Sequence, residues 1–115
     1  METMETIILK NLIQNEDYTR RVVPFLDEEY FKDRNERTVY TLIRDHIHKY
    51  NRSPNRDALI IALDDRGGMT EQSYKDTSII IKSITDTIDP VDNEWLMDQT
   101  EKFCKDKAVY NAILR

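Results

Sequence analysis

Apolar residues recur along this chain at intervals of three and four positions, the spacing that places them on one face of an α-helix. The clearest example lies in the segment 27–50, whose periodic apolar residues are Val39, Leu42, Ile43, Ile47 and Tyr50. The same pattern predicts six helical segments, over about 3–14, 16–26, 27–50, 54–66, 71–88 and 93–115.

Residues that start or stop helices refine the early segments. Pro24 lies inside the second segment, where a proline removes a backbone hydrogen bond, so we expect a kink or a break there. Asp27 is a suitable N-cap for the third segment, because acidic residues follow it in the first turn. That segment is either one helix over 27–50 or two helices broken near 33–36.

The later boundaries rest on single residues. Gly67 stands where a left-handed C-terminal cap would end the fourth segment, whose buried residues are predicted to be Leu59, Ala62 and Leu63. Thr70 and Asn93 are the candidate N-caps of the last two segments. The β-branched run 79–81 also suits a strand, but a helix is favoured by the spacing of Tyr74, Ile81, Ile84 and Ile88 before Asp89 and Pro90.

The composition supports an all-α fold. Hydrophobic residues make up 39% and charged residues 34% of the 115 residues, a balance that suits helices with one buried stripe and a wide solvated face. A fold of many short strands needs more turn-forming residues than two glycines and three prolines. We therefore predict one all-α domain, a compact bundle of about six helices.

Charge and cysteine content limit the setting and the partners. The net charge of −5 argues against nucleic acid as the main ligand, because binding a polyphosphate favours a basic surface, and it suits protein partners. The single cysteine, Cys104, has no internal disulfide partner, which indicates a reducing, cytoplasmic setting. No segment approaches the roughly 20 apolar residues of a membrane span, and the N-terminus lacks the pattern of a signal peptide.

No catalytic or metal-binding motif is recognisable. The two glycines are adjacent, which excludes a phosphate-binding loop, and no cofactor is expected in this chain. His46 and His48, next to Asp45, point to nearly opposite sides of a helix, with His46 toward the apolar side. Cys104 lies mid-helix without the neighbouring base that a nucleophile needs. Four carboxylates lie close together in pairs, namely Asp64, Asp65, Asp89 and Asp92. We interpret them as solvated residues at helix ends and not as catalytic pairs.

Two basic stretches are candidate nucleic-acid contacts. Arg52 and Arg56 surround a loop short enough for a helix-turn-helix, which would place the fourth segment in a DNA groove. That segment also carries acidic residues, which disfavour phosphate. On the last segment, Glu101 and Asp106 interleave the cations and indicate a solvated face, the cations being Lys102, Lys105, Lys107 and Arg115.

The last segment has more apolar residues than one buried stripe requires, namely Trp95, Phe103, Val109, Tyr110, Ile113 and Leu114. Apolar surface without an internal partner marks a subunit contact. The alternative, that all of these residues pack on the rest of the domain, stays open. The segment has no stop signal before Arg115, so we expect the natural protein to continue.

The order and spacing of short motifs resemble the N-terminal domain of DnaB-type replicative DNA helicases over nearly the whole chain. The family's acidic turn, aromatic residue and Arg-x-aliphatic-aromatic step are similar to the run 28–31 followed by Arg37, Val39 and Tyr40. Its Leu, Ala-Leu and Arg-Gly positions match Leu59, Ala62, Leu63, Arg66 and Gly67, and its first helix and Asn-Asp turn resemble 8–17.

The likeness is closer still to the T-even-type phage branch, on the runs 29–31, 95–96, 100–102 and 111–112. Two positions depart from the family, since Glu36 stands where a His is common and Ala58 where a Thr precedes the leucine. These departures weaken the match to the bacterial branch more than the match to the phage branch.

The resemblance implies a hexameric, ATP-driven helicase of the phage replication fork, acting on single-stranded DNA in the host cytoplasm. A RecA-like motor that uses ATP and Mg would follow Arg115. This chain would be the non-catalytic collar and docking domain, with a helical head over 1–92 and the first arm of a helical hairpin over 93–115. It would contact copies of itself, primase and the helicase loader. The expected collar contacts are Phe103, Lys107, Tyr110, Ile113 and Leu114.

Two other functions remain open from the residues alone. A small helix-turn-helix DNA-binding regulator would use Arg52 and Arg56 on phosphates. A free-standing phage interaction protein would have the same helices and no motor domain.

Overall fold

The periodicity of the apolar residues corresponds to α-helices throughout the described chain. The structure is a computed structural model that describes residues 2–86 and 90–114, and within those ranges it contains no strand. Its helices are α1 (Met4–Gln14), α2 (Glu16–Val22), α3 (Arg34–Tyr50), α4 (Arg56–Arg66), α5 (Glu71–Asp86) and α6 (Asn93–Leu114). The predicted all-α fold is confirmed, and the run 79–81 is helical. The predicted positions Ile88, Asp89 and Arg115 lie outside the described residues.

Short polar side chains determine where these helices begin. The Asp33 carboxylate accepts hydrogen bonds from two backbone N–H groups at the start of α3, at 2.8 and 3.0 Å. Asn55 caps α4 through the N–H of Ala58 at 2.8 Å. Thr70 caps α5 through the N–H of Ser73 at 3.1 Å, as predicted. Each cap satisfies donors that the first turn of a helix leaves without a partner.

The cap of α6 differs from the prediction. The sequence predicts Asn93, but the Asp92 carboxylate accepts the hydrogen bond from the N–H of Trp95, at 2.9 Å. Asn93 is the first residue of the helix, and its side-chain oxygen accepts a hydrogen bond from Asn15 Nδ2 at 2.8 Å. The contact with Asn15 occupies the Asn93 side chain, and the negative charge of Asp92 is favoured at a helix N-terminus.

The chain between α2 and α3 is broken twice. The break expected at Pro24 is confirmed, because α2 ends at Val22 and a 3-10 turn, η1 (Val23–Phe25), follows. A second 3-10 turn, η2 (Glu28–Tyr30), is capped by Asp27 through the N–H of Glu29 at 3.0 Å. The segment 27–50 is therefore two helical pieces, as in the second of the two predicted forms, but the break lies at 31–33 and not near 33–36.

Gly67 ends α4 with a positive φ of 65° but an extended ψ of −177°. The predicted left-handed helical cap is therefore wrong in ψ, although the positive φ that favours glycine is present. Gly68 also has a positive φ, of 70°. The two glycines together turn the chain from α4 into the start of α5.

The core lies around α1, which packs against α2, α3, α5 and α6, while α4 covers α3 and α5. The predicted buried residues of α4 are confirmed for Leu59 and Leu63, and Ala62 is only partly buried. Among the described residues, the buried apolar side chains are those of Ile8, Leu9, Leu12, Tyr18, Val22, Leu26, Phe31, Val39, Tyr40, Leu42, Ile43, Leu59, Leu63, Ile81, Ile84, Leu96 and Phe103.

The backbone carbonyl of Leu12 joins three parts of the fold. The hydroxyl of Thr19, in α2, donates to it at 2.9 Å. The hydroxyl of Ser53, in the loop after α3, donates to the same oxygen at 2.7 Å. Carbonyls in the last turn of a helix lack internal donors, so side chains from two other elements satisfy the end of α1.

Candidate protein interface on the last helix

The first half of α6 belongs to the core of the domain. Leu96, Thr100 and Phe103 are buried, and their spacing of four and three places them on one face. Among the described residues after Phe103, α6 buries no further side chain. The helix therefore changes from a core element to a largely exposed one within its own length.

A buried hydrogen bond fixes the first half of α6 to α2. The hydroxyls of Tyr18 and Thr100 lie 2.7 Å apart. Burial raises the pKa of the Tyr18 hydroxyl well above its usual value, with the Thr100 hydrogen bond opposing the shift. Tyr18 consequently stays neutral near pH 7, and its hydrogen bond with Thr100 joins α2 to α6 inside the apolar core.

Phe103 lies in an aromatic cluster beneath η2. Its ring centroid is 6.0 Å from that of Phe31 and 6.5 Å from that of Tyr30, and Phe31 stacks on Tyr40 at 4.8 Å. The ammonium of Lys107 lies 5.6 Å from the Phe103 ring centroid, within reach of a cation–π contact. Only 8% of Phe103 is exposed, so this residue packs inside the domain.

The second half of α6 presents an uncovered apolar surface, which we term the α6 apolar face. It consists of Val109, Tyr110, Ile113 and Leu114, with exposed fractions of 61%, 53%, 75% and 66%. Residues at i, i+1, i+4 and i+5 share one side of a helix. Contiguous apolar surface of this kind is typical of a contact with another molecule.

Another side of the same segment rests on η2. The Asn111 side-chain amide donates to the backbone carbonyl of Glu29 at 3.3 Å. A small cavity of about 210 Å³ separates Asp27 and Tyr30 from Ala108 and Ala112. This contact supports the helix from one side and leaves the α6 apolar face uncovered.

The structure divides the five predicted collar residues. Tyr110, Ile113 and Leu114 lie together in the α6 apolar face, whereas Phe103 lies in the core and Lys107 is partly buried over its ring. Val109 belongs to the same face but is missing from the predicted set. Its place among the surplus apolar residues of the last segment is the sequence signal that would have included it.

The two arginines of the alternative DNA site have different surroundings. Arg56 Nε donates to the Thr85 hydroxyl at 2.7 Å, and its Nη2 donates to the Lys82 carbonyl at 3.2 Å and reaches the Asp86 carboxylate at 3.5 Å. These contacts hold α4 on α5. Arg52 is exposed in the loop before α4, so one of the two guanidinium groups is engaged within the domain and the other is not.

The candidate chemical groups lie apart from one another. Among residues 2–86 and 90–114, no three His, Cys, Asp or Glu side chains are placed to hold a metal ion. His46 is partly buried, and this burial lowers its pKa, whereas His48 is exposed. Burial raises the pKa of the Cys104 thiol, which keeps it protonated and weakly nucleophilic. No helix in the same ranges is long and apolar enough to cross a bilayer.

The domain is all-helical in its described residues and carries the exposed α6 apolar face. No protein-family model matches the chain. Over 109 residues, which are 95% of its length, the chain is 34% identical to the DnaB-like replicative helicase of enterobacteria phage T4, and it spans 22% of that protein. This similarity confirms the predicted resemblance to DnaB-type replicative helicases of the T-even-type phage branch, and the 22% share is consistent with an N-terminal domain.

Proposed function

We propose that this chain is the collar and protein-docking domain of a hexameric phage replicative helicase. The observation that carries the proposal is the α6 apolar face, a set of four large and exposed side chains. Similarity to a replicative helicase of which the chain spans 22% supports a larger parent protein. The parent would carry a RecA-like motor that uses ATP and Mg, and it would translocate on single-stranded DNA.

The α6 apolar face suits subunit contacts within the ring. Burying a large aliphatic side chain contributes about 1.5–3 kcal/mol, so two exposed residues of this size, such as Ile113 and Leu114, supply a substantial part of one contact. Primase and the helicase loader are the further partners that we propose for the domain. The exposed charged faces of the other helices leave ample surface for them.

The first test is the coding sequence that follows the Arg115 codon. A long open frame that contains Gly-x-x-x-x-Gly-Lys-Ser/Thr supports the proposed motor. A stop codon directly after Arg115 contradicts it, and leaves a free-standing interaction protein.

The second test measures assembly of the protein encoded by that frame, by sedimentation velocity. We expect the double change of Ile113 and Leu114 to serine to shift the hexamer toward smaller species. The matched control is Ile61→Ser, which removes an isoleucine of similar exposure (60%) from α4. An unchanged hexamer in the double variant, or equal loss in the control, contradicts a collar role for the α6 apolar face.

The helix-turn-helix alternative is disfavoured by the position of Arg56, whose guanidinium is engaged by α5. The exposed surface of α4 also carries Asp57, Asp64 and Asp65. Binding of a short DNA duplex at low salt, where phosphate contacts weigh most, tests it directly. Loss of binding on changing both Arg52 and Arg56 to alanine would restore this alternative.

A further inference from the structure

A second concave surface lies on the side of the domain formed by η1 and the end of α3. It encloses about 270 Å³ between Val23 and Pro24 on one side and Ile47 on the other. Its polar lining consists of Glu16, Thr19, Arg20, His48, Asn51, Arg52 and Ser53. We term this feature the Arg52 cavity, and it combines apolar residues with the cationic Arg52, while the charge of Arg20 in the same lining is balanced by Glu16.

The backbone on both sides of Arg52 is fixed. Asn51 ends α3 in the left-handed region, with φ 57° and ψ 32°, and its N–H donates to the Ile47 carbonyl at 2.7 Å. Ser53 donates to the Leu12 carbonyl, and Pro54 is buried. Arg52 therefore projects from an ordered turn, so its backbone does not have to be ordered when a ligand binds.

Arg52 differs from the neighbouring arginines in its lack of a partner within the described part of the chain. Arg20 is paired with the Glu16 carboxylate at 2.9 Å, and Arg56 is held by α5. Within residues 2–86 and 90–114, Arg52 forms neither an ion pair nor a side-chain hydrogen bond. A planar guanidinium with free donors matches a carboxylate through two parallel hydrogen bonds.

We propose that the Arg52 cavity binds a segment of a partner protein in which a carboxylate lies close to an apolar side chain. Arg52 would bind the carboxylate, and the apolar side chain would enter between Val23 and Ile47. Nucleic acid is disfavoured, because phosphate binding gains nothing from an apolar lining and needs several free cations. The proposal specifies the chemistry of one docking partner and so rests on the docking role proposed above.

The test uses an array of short synthetic peptides in a Gly-Ser background. Each peptide carries one Asp or Glu and one Leu, Phe or Trp, with the separation between them varied across the array. The affinity of the purified chain for the strongest binders is then measured by fluorescence anisotropy. The matched peptides replace each carboxylate by its amide, and a short DNA duplex at low salt serves as the competitor.

We expect the amide peptides and the Arg52→Gln protein each to bind about tenfold more weakly or worse, because each change removes a charge-assisted hydrogen bond. Val23→Thr, which keeps the side-chain shape but adds a hydroxyl, should weaken binding of the peptides with large apolar residues. The control is Arg66→Gln, which removes an exposed arginine at the far end of α4 and should leave the affinity unchanged.

Three results would overturn the proposal. The first is that no peptide in the array binds. The second is that the carboxylate peptides bind the Arg52→Gln variant as tightly as they bind the unchanged protein. The third is that the duplex displaces the peptides and itself loses affinity in Arg52→Gln, which would assign the cavity to nucleic acid. These measurements do not involve the α6 apolar face, so peptide binding and hexamer assembly can fail independently.

Discussion

Replacing Phe103 by alanine should lower the free energy of unfolding by about 3 kcal/mol. Large-to-small changes of a buried phenylalanine cost roughly 3–5 kcal/mol, and the lower end applies here because Phe103 is 8% exposed at the edge of the core. The rings of Phe31 and Tyr30, at 6.0 and 6.5 Å, would lose a packing partner. The ammonium of Lys107, 5.6 Å from the Phe103 ring centroid, would lose its cation–π contact.

Urea unfolding followed by far-ultraviolet circular dichroism measures this change. With an unfolding entropy of about 2.1 cal/mol/K per residue, a loss of about 3 kcal/mol corresponds to a fall in Tm of about 12 °C for a domain of this size. Tyr110→Ala is the matched control, because Tyr110 is 53% exposed on the same helix, and it should change stability by no more than about 0.5 kcal/mol. Equal losses in the two variants would refute the division of α6 into a core half and an uncovered half.

Three further changes test individual contacts by the same unfolding measurement. Asp33→Ala should cost about 1–2 kcal/mol, because it removes the acceptor of two N–H groups at the start of α3, whereas Asp33→Asn should cost much less. Asn51→Ala should cost about 1 kcal/mol at the left-handed end of α3, and Asn51→Gly should cost none of that strain. Tyr40→Phe should be neutral or stabilising at pH 7, because the Tyr40 hydroxyl is buried and finds no hydrogen-bond partner among residues 2–86 and 90–114. Burial raises the pKa of Tyr40 to about 12 from 10.0, so its contribution is complete below about pH 10 and is lost as the pH rises toward 12. Tyr40→Phe should therefore reduce the alkaline loss of stability, and an identical loss in the variant would contradict that assignment.

Local signals in the sequence predict the helices well. Pro24 predicts the end of α2 because its ring and its missing N–H group disturb a helix whatever the tertiary surroundings. Thr70 marks the start of α5 because the N–H group that it caps is only three residues away. The predicted cap of α6, Asn93, lies within one residue of the true cap, and the deciding contact comes from Asn15, which is distant in sequence.

The interface residues illustrate where periodicity stops being informative. Phe103 and Tyr110 are seven residues apart and so lie on nearly the same side of α6. They differ because η2 and the Phe31 ring lie under the first and not under the second. Nothing in the residue types of α6 specifies where that support ends.

The same limit applies to the two loop arginines. Arg52 and Arg56 are equivalent by charge and by distance from the loop, and the sequence suggests a shared ligand. The structure separates them through Thr85 and Asp86, which lie 29 and 30 residues beyond Arg56 in the chain. The local sequence around an arginine therefore does not show whether a residue far along the chain will bind its guanidinium.

The two hydroxyls on the Leu12 carbonyl have a consequence for the order in which the domain opens. The Ser53 bond ties the turn before α4 to the last turn of α1, and the Thr19 bond ties α2 to the same atom. Local opening of that turn therefore also breaks a hydrogen bond to the last turn of α1. The backbone amides of Asn51 and Thr19 should therefore both exchange slowly, at rates similar to each other and to those of the core amides. Amides in an ordinary surface loop exchange faster.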